Sequence, residues 1–249
     1  MSQENDTDFN TIDSSGWCPI RRAICINNPT ITKRLLQLWN SADLNVPNCS
    51  KSTPLTYAIR QKNVKIVEIL VNFGADLNKE DSLYWTPLMK AITYGNLQIL
   101  SLLIKNGANL NLASSRGWTP IYQAIDVDNV EALNCLIDHG ADLNFNCSSG
   151  WTPVMMAIRK SNIKILTLLI ERGADVNLVD SLGWTPIAKA VHVNKMEIIK
   201  ILISQGADLN LKPSYKISAL SRAVLKHNFD DVKLLLENGA DINLRTAIS

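Results

Sequence analysis

Three histidines, five cysteines and six tryptophans carry the most distinctive chemistry in this 249-residue chain. Catalysis requires a nucleophile, a base and an orienting group to converge. His139, His192 and His227 fall at different positions of separate stretches, and their spacing brings no two of them together with a candidate nucleophile. The sequence contains no glycine-rich phosphate loop and no other motif that carries a mechanism. Neither an enzymatic role nor a cofactor is therefore expected. Cys18, Cys25, Cys49, Cys135 and Cys147 show neither an even count nor paired C-x-x-C spacing, so free thiols without metal are expected. A pentapeptide, Gly74-Ala75-Asp76-Leu77-Asn78, recurs with one carboxylate per 33 residues. That density cannot supply the six or more oxygens that calcium takes. Its Asp and Asn side chains are expected to bond their own turn backbone.

Tryptophan gives a sharper signal. Trp17, Trp85, Trp118, Trp151 and Trp184 each stand two residues before a proline. Indoles are large, rigid and amphipathic, and they are over-represented among the few residues that dominate interface energy. Two readings stand side by side. The rings could stack along one edge, each pair contributing about 0.5–1.5 kcal/mol beyond its area burial, or they could stack and also meet a partner.

The elements that hold these side chains follow from a strict period. The pentapeptide returns, with small changes, at positions 107, 140, 173, 206 and 239, always 33 residues on, and Ser41-Ala42-Asp43-Leu44-Asn45 precedes the first copy by the same interval. A fixed period of this size marks a repeat architecture, in which each unit buries its apolar face against its neighbours. One elongated domain is expected. In each unit a Thr-Pro pair (Thr53-Pro54, Thr86-Pro87, Thr119-Pro120, Thr152-Pro153, Thr185-Pro186) starts a helix, since proline suits the first turn and threonine can cap an amide. Ala58, Ala91, Ala124, Ala157 and Ala190 follow four residues after the prolines, and so small a side chain at one repeated place implies close packing. Apolar residues at helical spacing, such as Ile163, Ile165, Leu166, Leu168, Leu169 and Ile170, predict a second helix with a broad buried face. The pentapeptide's glycine ends that helix in a left-handed cap.

The 33-residue period, the elements Gly117-Trp118-Thr119-Pro120, Gly150-Trp151-Thr152-Pro153 and Gly183-Trp184-Thr185-Pro186, and the G-A-D-x-N terminator resemble ankyrin repeats over nearly the whole chain. The resemblance implies an all-α repeat solenoid: stacked helix-turn-helix units joined by β-turn fingers, with partners bound on a concave edge. Seven units are expected, at 13–47, 48–80, 81–113, 114–146, 147–179, 180–212 and 213–245, between a polar tail at 1–12 and a short tail at 246–249. The histidine usual in the family's first helix is replaced by Thr56, Met89, Tyr122, Met155 and Ala188, which predicts weaker individual units. The first and last units carry polar replacements: Arg21, Arg22, Lys33 and Arg34 in one, Asp231 in the other. Polar residues on an open end face limit association, so both units are expected to be caps closing a complete stack. The resemblance also makes Asn177 the nearest match to a target of asparagine hydroxylation.

By the same resemblance, the tryptophan column lies on the partner-binding edge. Trp85, Trp118, Trp151 and Trp184 are expected to contact a partner there, with Arg60, Tyr94, Arg116, Tyr122, Arg159, Lys160 and His192 on the same face. This mixture suits an acidic or mixed protein surface. With 25 basic against 23 acidic side chains, and the basic ones scattered, a nucleic-acid stripe is not expected. No apolar run approaches the roughly 18 residues of a membrane span, and the start lacks the basic flank and apolar stretch of a signal peptide. The expected protein is a cytoplasmic or nuclear monomer that binds a folded protein without catalysing a reaction. Narrower alternatives are an inhibitor or regulator of an enzyme or transcription factor, and a microbial or viral effector delivered into a host cell. The Ile, Lys and Asn bias of an AT-rich genome leans toward a microbial, protist or viral source.

Overall fold

The computed structural model describes residues 18–38, 44–45, 47, 52–81, 84–115, 117–147, 150–211 and 217–244. The chain divides into two compact units, Met1–Ser115 and Arg116–Ser249. In the first lie helices α1 (Pro19–Cys25), α2 (Pro29–Leu38), α3 (Pro54–Arg60), α4 (Val64–Asn72), α5 (Pro87–Thr93) and α6 (Leu97–Lys105). In the second lie α7 (Pro120–Asp126), α8 (Val130–Asp138), α9 (Pro153–Lys160), α10 (Ile163–Glu171), α11 (Pro186–His192), α12 (Met196–Ser204), α13 (Ala219–Leu225) and α14 (Phe229–Glu237). Every odd helix packs against the even helix that follows it, and within each unit successive odd helices pack side by side. The described residues form no strand. The architecture is the all-α stack of helix pairs expected from the period, and no helix among the described residues is long and apolar enough to cross a membrane.

The first helix of each pair begins as its Thr-Pro predicts. Thr53, Thr86, Thr152 and Thr185 sit in extended backbone and accept a hydrogen bond from the amide three residues on, and Ser218 does the same for α13. These helices are only seven or eight residues long, too short to persist alone in water. Packing holds them: Ala58, Ala91, Ala124, Ala157 and Ala190 are completely buried. A second cap lies in the tight link between helices. Asn63, Asn96, Asn129, Asn162 and Asn228 each accept from the amide three residues on and start the second helix of their pair. The residue before each adopts positive φ, as at Lys62 (57°), Asp128 (55°) and Ser161 (54°). Leu70, Leu103, Leu136, Leu169, Leu202 and Leu235 then form a fully buried column along the second helices.

The recurring pentapeptide does a different job with each letter. In the first copy, Gly74 has φ 85°, its amide donates to Val71 O at 3.0 Å, and the Ala75 amide donates to Leu70 O at 3.0 Å. This pair of bonds is a Schellman cap on α4, and glycine holds the left-handed position without strain. Ala75 is buried beneath it. Asp76 Oδ1 accepts from the Asn78 amide at 2.8 Å, which closes the turn on itself as expected. The asparagine departs from that expectation. Asn78 Oδ1 accepts from the backbone of the following repeat, at Asn109 N (2.9 Å). Asn144 likewise reaches Asp175 N, Asn177 reaches Asp208 N and Asn210 reaches Asp241 N, at 2.7–2.9 Å. Asn177 and Asn210 also donate through Nδ2 to Gly206 O and Gly239 O. The asparagines are rungs between neighbours, because the next turn's amide lies within hydrogen-bond reach of their Oδ1.

The end units correct a second expectation. Arg22, Lys33 and Arg34 are exposed, but Arg21 is buried. Asp231 is 1% exposed, with Oδ2 accepting from Asn228 Nδ2 at 2.8 Å and Oδ1 without a partner. Burial pushes its carboxyl above the ordinary aspartate value, with Asp230 adding to the rise and Lys226 opposing it. Apolar groups are left uncovered in this last pair: Val224 is 54% and Ile242 74% exposed, whereas their counterparts Val191 and Leu209 are buried. Asp231 therefore does not form a polar outer face, because its place in α14 turns it inward against α13.

Candidate interaction surface

Trp85, Trp151 and Trp184 are each carried on a finger built by local backbone bonding. The Asp180 amide donates to Trp184 O at 2.9 Å and the Gly183 amide returns to Asp180 O at 2.9 Å. Asp81 with Trp85, and Cys147 with Trp151, repeat the first of these bonds at 3.0 Å. At the tip, Gly150 must be glycine twice over. Its φ is 73°, and a Cβ there would stand 2.2 Å from Ser181 N. Tyr84 takes the equivalent left-handed position in an earlier finger with φ 62°, a conformation that costs a bulky side chain free energy. The indoles of Trp85, Trp118, Trp151 and Trp184 are all half-buried.

In the second unit the rings do not meet as an unbroken stack. Trp151 and Trp184 make no ring pair with each other. Lys189, from α11, places Nζ 3.9 Å from the Trp151 centroid and 4.8 Å from that of Trp184. Arg159, from α9, lies over Trp151 at 5.1 Å, and Arg222, from α13, over Trp184 at 3.8 Å. Cations are attracted to the negative face of an aromatic ring by its quadrupole, so cations rather than neighbouring indoles organise this edge. His192 meets Trp184 edge-on at 5.1 Å. Its other side is exposed, but burial of the packed edge, reinforced by Arg222, Lys226 and Lys189, holds the imidazole below its usual value. Burial also lowers Lys189, with Arg159 and Arg222 acting in the same direction and Asp180 opposing them.

Trp118, Tyr122, Cys147, Trp151, Met156 and Arg159 line a cleft of about 230 Å³ beside this edge. Trp118 lies 6.5 Å from Tyr122. Tyr122, expected to meet a partner, is 1% exposed. Its hydroxyl donates inward to the carbonyls of Trp151 and Phe145, and burial raises its phenol far above the usual value. It braces the next finger from within. Arg159 and Lys160 are exposed on α9. Lys160 is tied to Asp126 Oδ1 at 2.6 Å, whereas Arg159 Nη2 donates to Met156 Sδ at 3.0 Å.

In the first unit, Lys90 Nζ is 4.7 Å from the Trp85 centroid and 2.7 Å from Asp81 Oδ2. Arg60 is exposed and lies over the Tyr57 ring at 5.6 Å, and Tyr94 is half-buried at the end of α5. Arg116 and Trp17 lie outside the described residues. The inventory drawn from the sequence missed Lys90, Lys189 and Arg222. Their signal was a polar residue one place before the buried alanine, in a helix otherwise apolar at that level.

Among the described residues, no cluster of three His, Cys, Asp or Glu side chains could hold a metal ion. Cys18, Cys25, Cys135 and Cys147 form no disulfide among the described residues, and Cys49 lies outside them.

Comparison with known proteins fits this geometry. The fold matches the crystal structure of the ankyrin repeat domain of Bcl-3, a member of the IkappaB protein family, with a TM-score of 0.82 at 24% identity, over 90% of this chain and 99% of that one. No curated protein sequence matches significantly. The family signature of ankyrin repeats (3 copies) matches residues 2–81, 20–114, 88–180 and 173–246. Helix pairs on a 33-residue period, asparagine rungs between their turns and a signature running almost from end to end agree, and the chain belongs to the ankyrin-repeat family.

Proposed function

We propose that this protein is a non-enzymatic interaction module that binds a folded protein partner through its fingers and first helices. The arrangement of Trp151 and Trp184 supports the reading most directly. Both indoles remain half-exposed on finger stems, with Arg159, Lys189 and Arg222 on their faces. Tryptophan and arginine are the residue types most enriched among interface hot spots, and here they are fixed in place before any partner arrives, which lowers the ordering cost of binding. Trp118 extends the surface along the neighbouring cleft.

The test is a partner captured by pull-down and identified by mass spectrometry, then titrated against the Trp118→Ala, Trp151→Ala double variant and an exposed α12 control, Lys200→Ala. The double variant should lose several kcal/mol of binding, since central hot spots cost about 2 kcal/mol or more each. It should keep its fold, because the lost ring contacts contribute about 0.5–2 kcal/mol apiece. Full-strength binding by a stable double variant would remove the finger surface from recognition, and a large drop in Tm would make these indoles structural. Assaying the captured partner's own activity with and without the protein separates an adaptor from an inhibitor.

A further inference from the structure

The same three residue types occur twice at identical offsets: Asp81, Trp85 and Lys90 in the first unit, Asp180, Trp184 and Lys189 in the second. In both, the aspartate's Oδ1 accepts from the tryptophan amide, at 3.1 Å and 2.7 Å. The lysines then behave differently. Lys90 closes an ion pair on Asp81 Oδ2 at 2.7 Å. Asp180 Oδ2, equally buried, has no partner among the described residues. Lys189 lies between two indoles, and among the described residues none accepts a hydrogen bond or ion pair from it, although the residue is only 9% exposed. The second triad differs in its surroundings. Arg159 and Arg222 flank it on the same two rings, and Arg222 Nε is itself buried without a partner. Three cations from three successive repeats thus gather on two indole rings, and among the described residues no ion pair joins any of them to Asp180.

We infer that the Arg159–Lys189–Arg222 edge receives the carboxylate side chains of an extended acidic segment in a protein partner. The inference rests on reading this face as the partner-binding one and supplies the partner's chemistry. Each indole already has two cations within reach of its ring, which compete with the stacking of nucleic-acid bases there. What these three cations lack, among the described residues, is a paired anion. The three cations rise from α9, α11 and α13, which pack side by side; packed helices lie about 8–10 Å apart. An extended chain advances about 3.3 Å per residue, so a carboxylate at every third position keeps step with one cation per repeat. Incoming carboxylates would also draw Lys189 off the indoles, which alters tryptophan emission.

The probe is a synthetic peptide with glutamate at every third position, titrated into the full chain by calorimetry and tryptophan fluorescence. A glutamine version and a version with the same glutamates contiguous serve as comparisons. Lys189→Met and Arg222→Met are the variants; Met156 already occupies the equivalent place in α9, so methionine suits the site, and Tm checks the fold. The spaced glutamate peptide should bind, the glutamine peptide should not, and each variant should weaken binding about tenfold or more while Lys200→Ala leaves it unchanged. Equal binding of the contiguous peptide, or unchanged binding by folded variants, overturns the inference. So does a single-stranded oligonucleotide of the same length that binds more tightly than the spaced peptide. The partner captured in the pull-down separates the two readings. Loss of its binding in the Trp118→Ala, Trp151→Ala variant but not in Lys189→Met or Arg222→Met keeps the finger surface and removes the acidic segment. Full binding by all of them removes both.

Discussion

His192 is the group on this edge whose ordinary titration falls nearest neutrality. Packing against Trp184 and the charges of Arg222, Lys226 and Lys189 all oppose the imidazolium, so removing a cation moves the midpoint upward. We expect Arg222→Met to raise the His192 pKa, read from its ring-proton shifts in an NMR titration. An unchanged midpoint would mean that Arg222 does not act on the imidazole. Because the folded value lies below the ordinary 6.5, this residue's contribution to stability is present above that pH and is lost as pH falls through the folded value. Asp231 has the opposite sign. Its folded value is raised above 3.8, so its contribution is full below 3.8 and is lost as pH rises through the folded value. At neutral pH it leaves a buried, unpartnered acceptor, and such an orphan costs about 1–3 kcal/mol. Asp231→Ile, which installs the residue found at Ile66, Ile99, Ile165 and Ile198, should therefore raise the urea midpoint at pH 7, and the gain should shrink toward pH 3.5. A gain independent of pH would assign the effect to packing alone.

At the scale of the element, the second helices contribute one buried leucine column, and within each unit asparagines of the turns that follow them bond the next repeat. Leu169 is fully buried in α10, and Leu169→Ala should cost about 2–5 kcal/mol through lost transfer energy and an unfilled cavity. An unchanged urea midpoint would place that side chain outside the core. Asn177 joins its own turn to the next through Asp208 N at 2.7 Å and Gly206 O at 3.3 Å. These bonds are exposed, so Asn177→Ala should cost only about 0.5–1.5 kcal/mol. Faster amide exchange at Asp208, with Asn144 and its partner unaffected, would identify the rung as the origin of the loss.

At the scale of the molecule, contacts run between neighbouring repeats, and stability approximates a sum of unit and interface contributions. We expect neither a metal nor a disulfide to enter that sum: among the described residues Cys18, Cys25, Cys135 and Cys147 form no disulfide, and no cluster is suited to a metal. Chelator or reductant should leave helical circular dichroism and Tm where they were; a fall of several degrees with either would reveal a cross-link or ion that supports the fold.

The sequence by itself determined the period, the Thr-Pro helix starts, the buried alanine and leucine columns and the glycine that ends each pair. Each is a local preference repeated at a fixed interval, and a preference enforced at every repeat needs no knowledge of the neighbour to be read. The asparagine link-caps were legible on the same terms, as the column Asn63, Asn96, Asn129, Asn162 and Asn228. Tertiary structure alone decided matters in which one repeat answers another. Asn78 bonds the following turn rather than its own, and Tyr122 turns its hydroxyl inward because the Trp151 carbonyl of the next finger is there to accept it. Lys90 and Lys189 share a place in the repeat, yet one pairs with its aspartate and the other lies between two indoles. Where a long cationic side chain comes to rest is set by the charges and rings that adjacent repeats bring within a few ångströms, and that neighbourhood exists only once the repeats have stacked.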